Sequence, residues 1–166
     1  MSSATDVIGD AFTRIGEGVL EVVDGLSPDD LARRITPDAN PIGWLVWHLL
    51  RVQDDSVADV AGAEQVWHSA EWAQRFALPF EPDATGYGQS REDVSAVRVT
   101  ADLLVGYARG VTEATHDFLR GVSDDDLDRV VDERWDPPVT LGVRLVSVIA
   151  DDLKHLGQAE YAKGLL

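Results

Sequence analysis

Apolar residues recur at intervals of three and four along most of this chain, which is the spacing of one face of an α-helix. A first amphipathic helix is predicted over residues 5–24, and Gly25 is placed to end it. Ser27-Pro28-Asp29 then puts a capping hydroxyl, a proline and an acid in the order that begins a short helix. Asn40-Pro41 repeats this start signal for a long helix that runs to about Val60.

The second half of the chain shows the same kinds of signal. Ser90 is the expected cap of a helical region that is interrupted near Thr100 and ends at Gly121. Thr140 is the expected cap of the last helix, which extends to about Lys163. No segment alternates between apolar and polar residues in the way that would predict a strand.

A short internal repeat divides the chain into two helix pairs. The segment DGLSPDDL at 24–31 resembles RGVSDDDL at 120–127, and each follows a long helix and begins a short one. Between the halves, residues 61–90 are broken by Pro and Gly, with one short helix expected at about 69–76. The pattern predicts an all-α four-helix bundle with one long crossover connection. Residues 1–166 are expected to form a single domain.

The negative charge of the chain argues against partners that are themselves negatively charged. Its formal net charge is −16, from 30 acidic and 14 basic residues, and such a surface repels phosphate backbones and anionic lipids. We therefore expect no nucleic-acid or membrane partner. No signal peptide and no long apolar run is apparent, so we expect a cytoplasmic protein. There is no cysteine, so any metal must rely on His, Asp or Glu, and thiol chemistry would require a small-molecule thiol.

Two polar clusters within apolar helices are candidates for a metal site. His48 lies among apolar residues of the second long helix, and Asp151 and His155 are four residues apart, so they lie on one face of the last helix. Two imidazoles and a carboxylate make the three protein ligands typical of a catalytic zinc. Three alternatives remain open: a hydrogen-bonded core histidine, a pairing of His155 with Asp152, or an Arg144 partner for Asp151.

Three segments carry a resemblance to a known family: WLVWHLLRVQD at 44–54, ERWDP at 133–137 and DLKHLGQAEYAKGL at 152–165. Over almost its whole length the chain resembles the DinB-like superfamily, particularly its thiol-dependent transferase branch. The resemblance implies a bundle of up-down-down-up topology with a metal between the second and last helices. It implies that His48 and His155 are ligands and that Asp151 replaces the first histidine of a pair. The mycothiol-dependent maleylpyruvate isomerases are similar in placing a carboxylate there.

From the resemblance we expect an enzyme that uses a divalent metal, zinc or alternatively nickel, and a low-molecular-weight thiol such as mycothiol. It would act on an electrophile as an S-transferase or an isomerase-like enzyme. His48, Asp151 and His155 would hold the metal, and Asp55, two turns after His48, would orient a ligand or act as a base. The alternatives are a non-catalytic metal-binding or stress-associated bundle, such as a homodimer, and a metal-free bundle with a buried ion pair.

Overall fold

A computed structural model describes residues 3–166 and confirms the all-α bundle. Its four long helices are α1 (Ala4–Val23), α3 (Ile42–Ala61), α7 (Ala101–Leu119) and α8 (Leu141–Lys163). The shorter helices are α2 (Pro28–Ala32), α4 (Val66–Ser69), α5 (Trp72–Phe76) and α6 (Arg91–Ala96). A 3-10 helix (Asp125–Asp128) and a small antiparallel hairpin of β1 (Val130–Asp132) and β2 (Val139–Thr140) precede α8.

The helices begin where side-chain oxygens can accept hydrogen bonds from the free N–H groups of the first turn. The predicted caps at Ser27, Ser90 and Thr140 are confirmed, and each hydroxyl accepts a hydrogen bond from the backbone three residues later. The predicted interruption near Thr100 is the boundary before α7, which this residue caps. Asn40 does not cap α3, because that helix begins after Pro41 without a side-chain cap.

Contacts between the helix ends give the bundle its up-down-down-up topology. The first N–H groups of α1 donate to Asp124, just after α7, so α1 and α7 are antiparallel. Lys163, at the end of α8, donates to carbonyls at the end of α1, so these two helices are parallel. Leu45 near the start of α3 lies beside Ala162 near the end of α8, so α3 and α8 are antiparallel. The implied topology is therefore present.

The connection from α3 to α7 is held against the bundle by buried polar groups. The Asp54 carboxylate accepts hydrogen bonds from the Trp67 backbone N–H at 2.8 Å and the Tyr107 hydroxyl at 2.7 Å. The Arg51 guanidinium, fully buried, donates to the Ala84 carbonyl at 3.2 Å and lies over the Trp67 ring. Asp54 compensates the charge of Arg51, and the pair thereby fixes the connection against α3.

Two local predictions need correction. The short helix expected at 69–76 is α5, which begins at Trp72, and a further short helix, α4, precedes it; the two are separated at Glu71, where φ is +57°. The hairpin before α8 was not expected, because its strands of three and two residues are too short to show alternation. None of the helices within residues 3–166 has the length and apolar character that crossing a membrane requires.

Candidate metal centre

The structure brings together His48 from the middle of α3 and Asp151 and His155 from α8. One potential ligand atom from each side chain lies within 4.8 Å of the others. The His155 Nε2 and an Asp151 carboxylate oxygen are 3.7 Å apart. Bonds of about 2.0–2.1 Å in a tetrahedral site place ligand atoms roughly 3.3–3.5 Å apart. The pair at 3.7 Å is close to this spacing, and the His48 donor lies within 4.8 Å of both atoms.

In both imidazoles Nδ1, the ring nitrogen that would not bind the metal, has a hydrogen-bond partner. His48 Nδ1 donates to the Thr85 carbonyl oxygen at 2.6 Å, and this oxygen can only accept, so it fixes the tautomer. His155 Nδ1 is 3.1 Å from the Gln158 side-chain oxygen, which selects the same tautomer there. In both rings the Nε2 lone pair is left for a ligand. A hydrogen-bonded Nδ1 of this kind is the usual support of a metal-binding histidine.

The His48 ring is also fixed by packing on both sides. Trp44, one turn earlier, stacks on it with ring centroids 4.6 Å apart, and the Trp44 indole N–H donates to Gln89. On the connection, Gly86 has a φ of +95°, and a Cβ built there would lie 2.8 Å from His48 Nδ1. Only glycine therefore allows the backbone to approach the ring this closely.

The electrostatic surroundings favour a neutral His48. Burial lowers the pKa of His48, the hydrogen bond to Thr85 opposes this shift, His155 lowers the pKa further and Asp151 raises it. The net direction is downward, so the imidazole stays neutral at neutral pH, which is the form that binds a metal. The two imidazole tautomers and the carboxylate thus fit a divalent ion.

Asp151 and Asp152 have different surroundings. Asp151 is partly exposed on the side of α8 that faces α3, where it meets His155. Asp152 is fully buried on the core side, and neither of its carboxylate oxygens has a hydrogen-bond partner among residues 3–166. Burial, together with the neighbouring charge of Asp151, raises the pKa of Asp152 well above its usual value. Of the two, Asp151 is the carboxylate in reach of both imidazoles.

A cleft of about 520 Å³ leads from the candidate metal centre to the hairpin, and His48 and Asp151 lie in its wall. The other wall contains two arginines, both held by the buried Asp132 carboxylate. Arg134 donates to its two oxygens at 2.9 and 2.8 Å, and Arg144 donates at 3.1 Å. These hydrogen bonds, chiefly those of Arg134, hold the pKa of Asp132 far below its usual value. A cationic edge therefore lies beside the candidate metal ligands.

Not every predicted side chain joins this group. Asp55 is exposed, accepts a hydrogen bond from Gln65 at 2.8 Å and is not among the cleft residues, so its role stays a prediction. Arg144, considered as a partner for Asp151, donates to Asp132 instead.

The sequence analysis assigned no role to Thr85, Gly86 or Gln158. The first two act through the backbone, which leaves no pattern of side chains to recognise. Gln158 follows His155 by three residues on a helix, and this spacing is a signal for a side-chain contact.

Comparisons with known proteins identify the fold and the family. A crystal structure of a conserved protein from Enterococcus faecalis is similar, with a TM-score of 0.91 and 28% sequence identity over 99% of this chain and 98% of that one. No curated protein matches the sequence. The sequence model of the mycothiol S-transferases matches residues 8–166, nearly the whole chain. The chain therefore belongs to the mycothiol S-transferase family.

Proposed function

We propose that this protein is a divalent-metal-dependent enzyme that transfers a low-molecular-weight thiol, such as mycothiol, to an electrophile. The observation that carries the proposal is the meeting of His48, Asp151 and His155 at the wall of an open cleft, in a chain without cysteine. Membership of the mycothiol S-transferase family supports the thiol. Zinc is the first metal to test and nickel the second, because imidazole ligands suit both.

The three side chains have distinct roles in this proposal. His48 and His155 bind the ion through Nε2, and their tautomers are held by Thr85 and Gln158. Asp151 is the third ligand and brings one negative charge. With three protein ligands, an ion held there would have room for a further ligand from the cleft. An ion bound there supplies the positive charge that lowers the pKa of a small-molecule thiol, so that it reacts as a thiolate at neutral pH.

The transfer itself forms one bond and breaks one. The thiolate sulfur bonds to the electrophilic carbon, the leaving group departs with its electron pair, and the thiol proton goes to solvent or to a basic side chain. Asp55 is our predicted group for that proton or for orienting a ligand. It lies seven residues, or about 10 Å, along α3 from His48, so it would act through the bound molecule or a water.

The cleft offers space and chemistry for the second substrate. Its apolar wall includes Val52, Val139 and Trp135, and its cationic edge is formed by Arg134 and Arg144. The apolar residues would cover the carbon skeleton of an electrophile and exclude water near the sulfur. The arginines would draw an electron-rich group towards the same end of the cleft.

The metal is tested by elemental analysis of protein purified without a His tag, followed by calorimetric titration with zinc and nickel. We expect about one ion per chain. His48→Ala and His155→Ala should each abolish tight binding, because two remaining ligands make a weak site. His68→Ala is the matched control, since this imidazole lies away from the centre and pairs with Asp83. Unchanged stoichiometry in both ligand variants would refute the metal centre.

The thiol is tested by following its conjugation to monochlorobimane across a panel that includes mycothiol. Turnover should require both enzyme and metal. Asp151→Ala should lose metal and turnover together, whereas Asp151→His should keep the metal by supplying a third imidazole. Asp152→Ala should be milder, because that side chain is about 100° away around α8. Tight metal binding without turnover of any thiol would favour the non-catalytic metal-binding bundle instead.

A further inference from the structure

Exposed apolar side chains are concentrated in the last quarter of the chain. Residues 3–166 leave ten large apolar side chains exposed, and eight of them lie on α8, in the hairpin before it or at the last two residues of the chain. Isolated exposed apolar residues are ordinary, but a concentration of this kind marks a surface that binds something. This feature is independent of the proposed metal chemistry.

On α8 these residues form a continuous line, which we call the α8 strip. Its members are spaced by three and four residues, as along one side of a helix, and all are exposed. The four large ones, Val143, Val146, Leu153 and Tyr161, are each at least half exposed. The two small ones, Ala150 and Gly157, lie between them. The strip thus alternates large and small residues along the outer face of the helix.

Gly157 has no explanation within a single copy of the chain. It lies in the interior of α8, where glycine destabilises a helix relative to alanine. A Cβ at this position would meet nothing within 4 Å, so no neighbour in the described chain requires its absence. Gly142 on the same helix differs, because a Cβ there would lie 3.3 Å from the Leu127 carbonyl oxygen. A missing side chain on an exposed helix face allows another helix to approach closely.

The charge of the strip fits a second copy of the same chain. Each copy carries a net charge of −16, so self-association requires a surface with few acids. Among the exposed residues of α8 from Val143 to Tyr161, the charged ones are Lys154 and Glu160, one base and one acid. Two such faces avoid the repulsion that the acidic remainder of the surface would produce.

We infer that the α8 strip is the interface of a homodimer in which the two α8 helices pack antiparallel about a two-fold axis near residues 151 and 152. In that register Val146 of one copy lies opposite Gly157 of the other, and Leu153 lies opposite Ala150. Val146 and Leu153 then each face a small residue, and the two-fold symmetry repeats both contacts. A parallel pairing would instead place Val146 against Val146 and Gly157 against Gly157.

The expected area also favours the antiparallel arrangement. A helix of 23 residues is about 34 Å long, and a strip about 10–12 Å wide covers about 350–400 Å². A stable interface needs about 800 Å² from each partner, so the ends must contribute. Antiparallel packing brings Leu165 and Leu166 of one copy towards Val130 of the other, and all three are exposed in a single copy.

The interface leaves the candidate metal centre accessible. His155 follows Leu153 by two residues, which is about 200° around the helix, so the imidazole points away from the strip. Dimerisation therefore leaves Asp151 and His155 uncovered, while Val143 belongs both to the strip and to one end of the cleft.

Analytical ultracentrifugation of the full, untagged chain tests the inference. The wild type should sediment as a dimer of two 18.1 kDa chains at micromolar concentration. Leu153→Glu and Gly157→Glu should each weaken the dimer at least a hundredfold, because each buries a charge at the axis or in a close contact. Val7→Glu is the matched control, since Val7 is equally exposed but lies on α1. A wild-type monomer at 100 µM, or dimers unaffected by both strip variants, would overturn the inference.

Single cysteines test the orientation and do not depend on weakening the interface. The natural chain has no cysteine, so an introduced thiol has no competing partner. A mixture of Val146→Cys and Gly157→Cys proteins should form a disulfide between the two variants on mild oxidation. Each variant alone should link poorly, and Val7→Cys should not link. Faster linking of Val146→Cys to itself than to Gly157→Cys would show a parallel pairing and refute the antiparallel dimer.

Discussion

The contact between Gly86 and His48 gives the sharpest test of how the candidate metal centre is held. A Cβ at position 86 would lie 2.8 Å from His48 Nδ1 and 3.0 Å from the Trp47 ring. Both distances are too short for ordinary contacts, so Gly86→Ala must displace the imidazole or the connection. Either movement breaks the hydrogen bond from Nδ1 to the Thr85 carbonyl, which fixes the tautomer and the ring orientation.

Gly86→Ala is expected to lower both the stability of the fold and the affinity for zinc, and the two effects can be measured separately. An alanine in a left-handed conformation costs roughly 1–2 kcal/mol of stability, since φ at position 86 is +95°. Removing the hydrogen-bonded support of a metal-binding histidine reduces affinity about 10–100-fold. Zinc affinity should therefore fall by this factor in chelator competition, and urea unfolding of the metal-free protein should show the loss of stability.

Gly88→Ala separates the two effects. Gly88 lies on the same connection with a φ of +72°, and a Cβ there would meet nothing within 4 Å. This variant should lose comparable stability and keep the zinc affinity of the wild type. Equal affinities in Gly86→Ala, Gly88→Ala and wild type would refute the idea that the connection positions His48.

Three further predictions concern single side chains. Gln158→Ala should lower zinc affinity about tenfold by releasing the His155 tautomer, whereas Gln158→Glu should retain it, as measured by chelator competition. Burial raises the pKa of Asp152, so the folded state holds its proton more tightly and stability falls as pH rises above about 4. Asp152→Asn should flatten this fall in urea unfolding of the metal-free protein at pH 5 and 8. Asp54→Ala should cost about 3–5 kcal/mol by leaving Arg51 buried without its partner, and should expose the connection to limited proteolysis.

The elements that the sequence predicted correctly are those with local causes. The starts of α2, α6 and α8 follow from Ser27, Ser90 and Thr140, each of which satisfies N–H groups within its own first turn. The helical repeat allowed His155 to pair with Asp151 or Asp152, and the structure shows the contact with Asp151. The four-helix bundle follows from apolar periodicity and from the short repeat, both of which are visible without knowledge of distant contacts.

The features that the sequence did not predict depend on contacts between distant segments. Thr85 supports His48 through a backbone carbonyl 37 residues away, and any residue type supplies that group. Asp132 appeared as an ordinary acid, but it is buried because the hairpin folds over the start of α8, where Arg144 reaches it. For Asp55 the local spacing was not enough: it lies two turns from His48 on α3, but the structure leaves it exposed.

The connection between α3 and α7 is the element through which bundle stability and the candidate metal centre are joined. Arg51, one turn after His48 on α3, is fully buried and donates to the Ala84 carbonyl. The next residue, Thr85, supplies the oxygen that holds His48 Nδ1. A buried cation is costly unless it is compensated, and here Asp54 compensates it while also accepting the backbone N–H of Trp67. The buried charges therefore place the connection at the distance from α3 that orients the imidazole, so a change at Asp54 should reach His48 through the backbone.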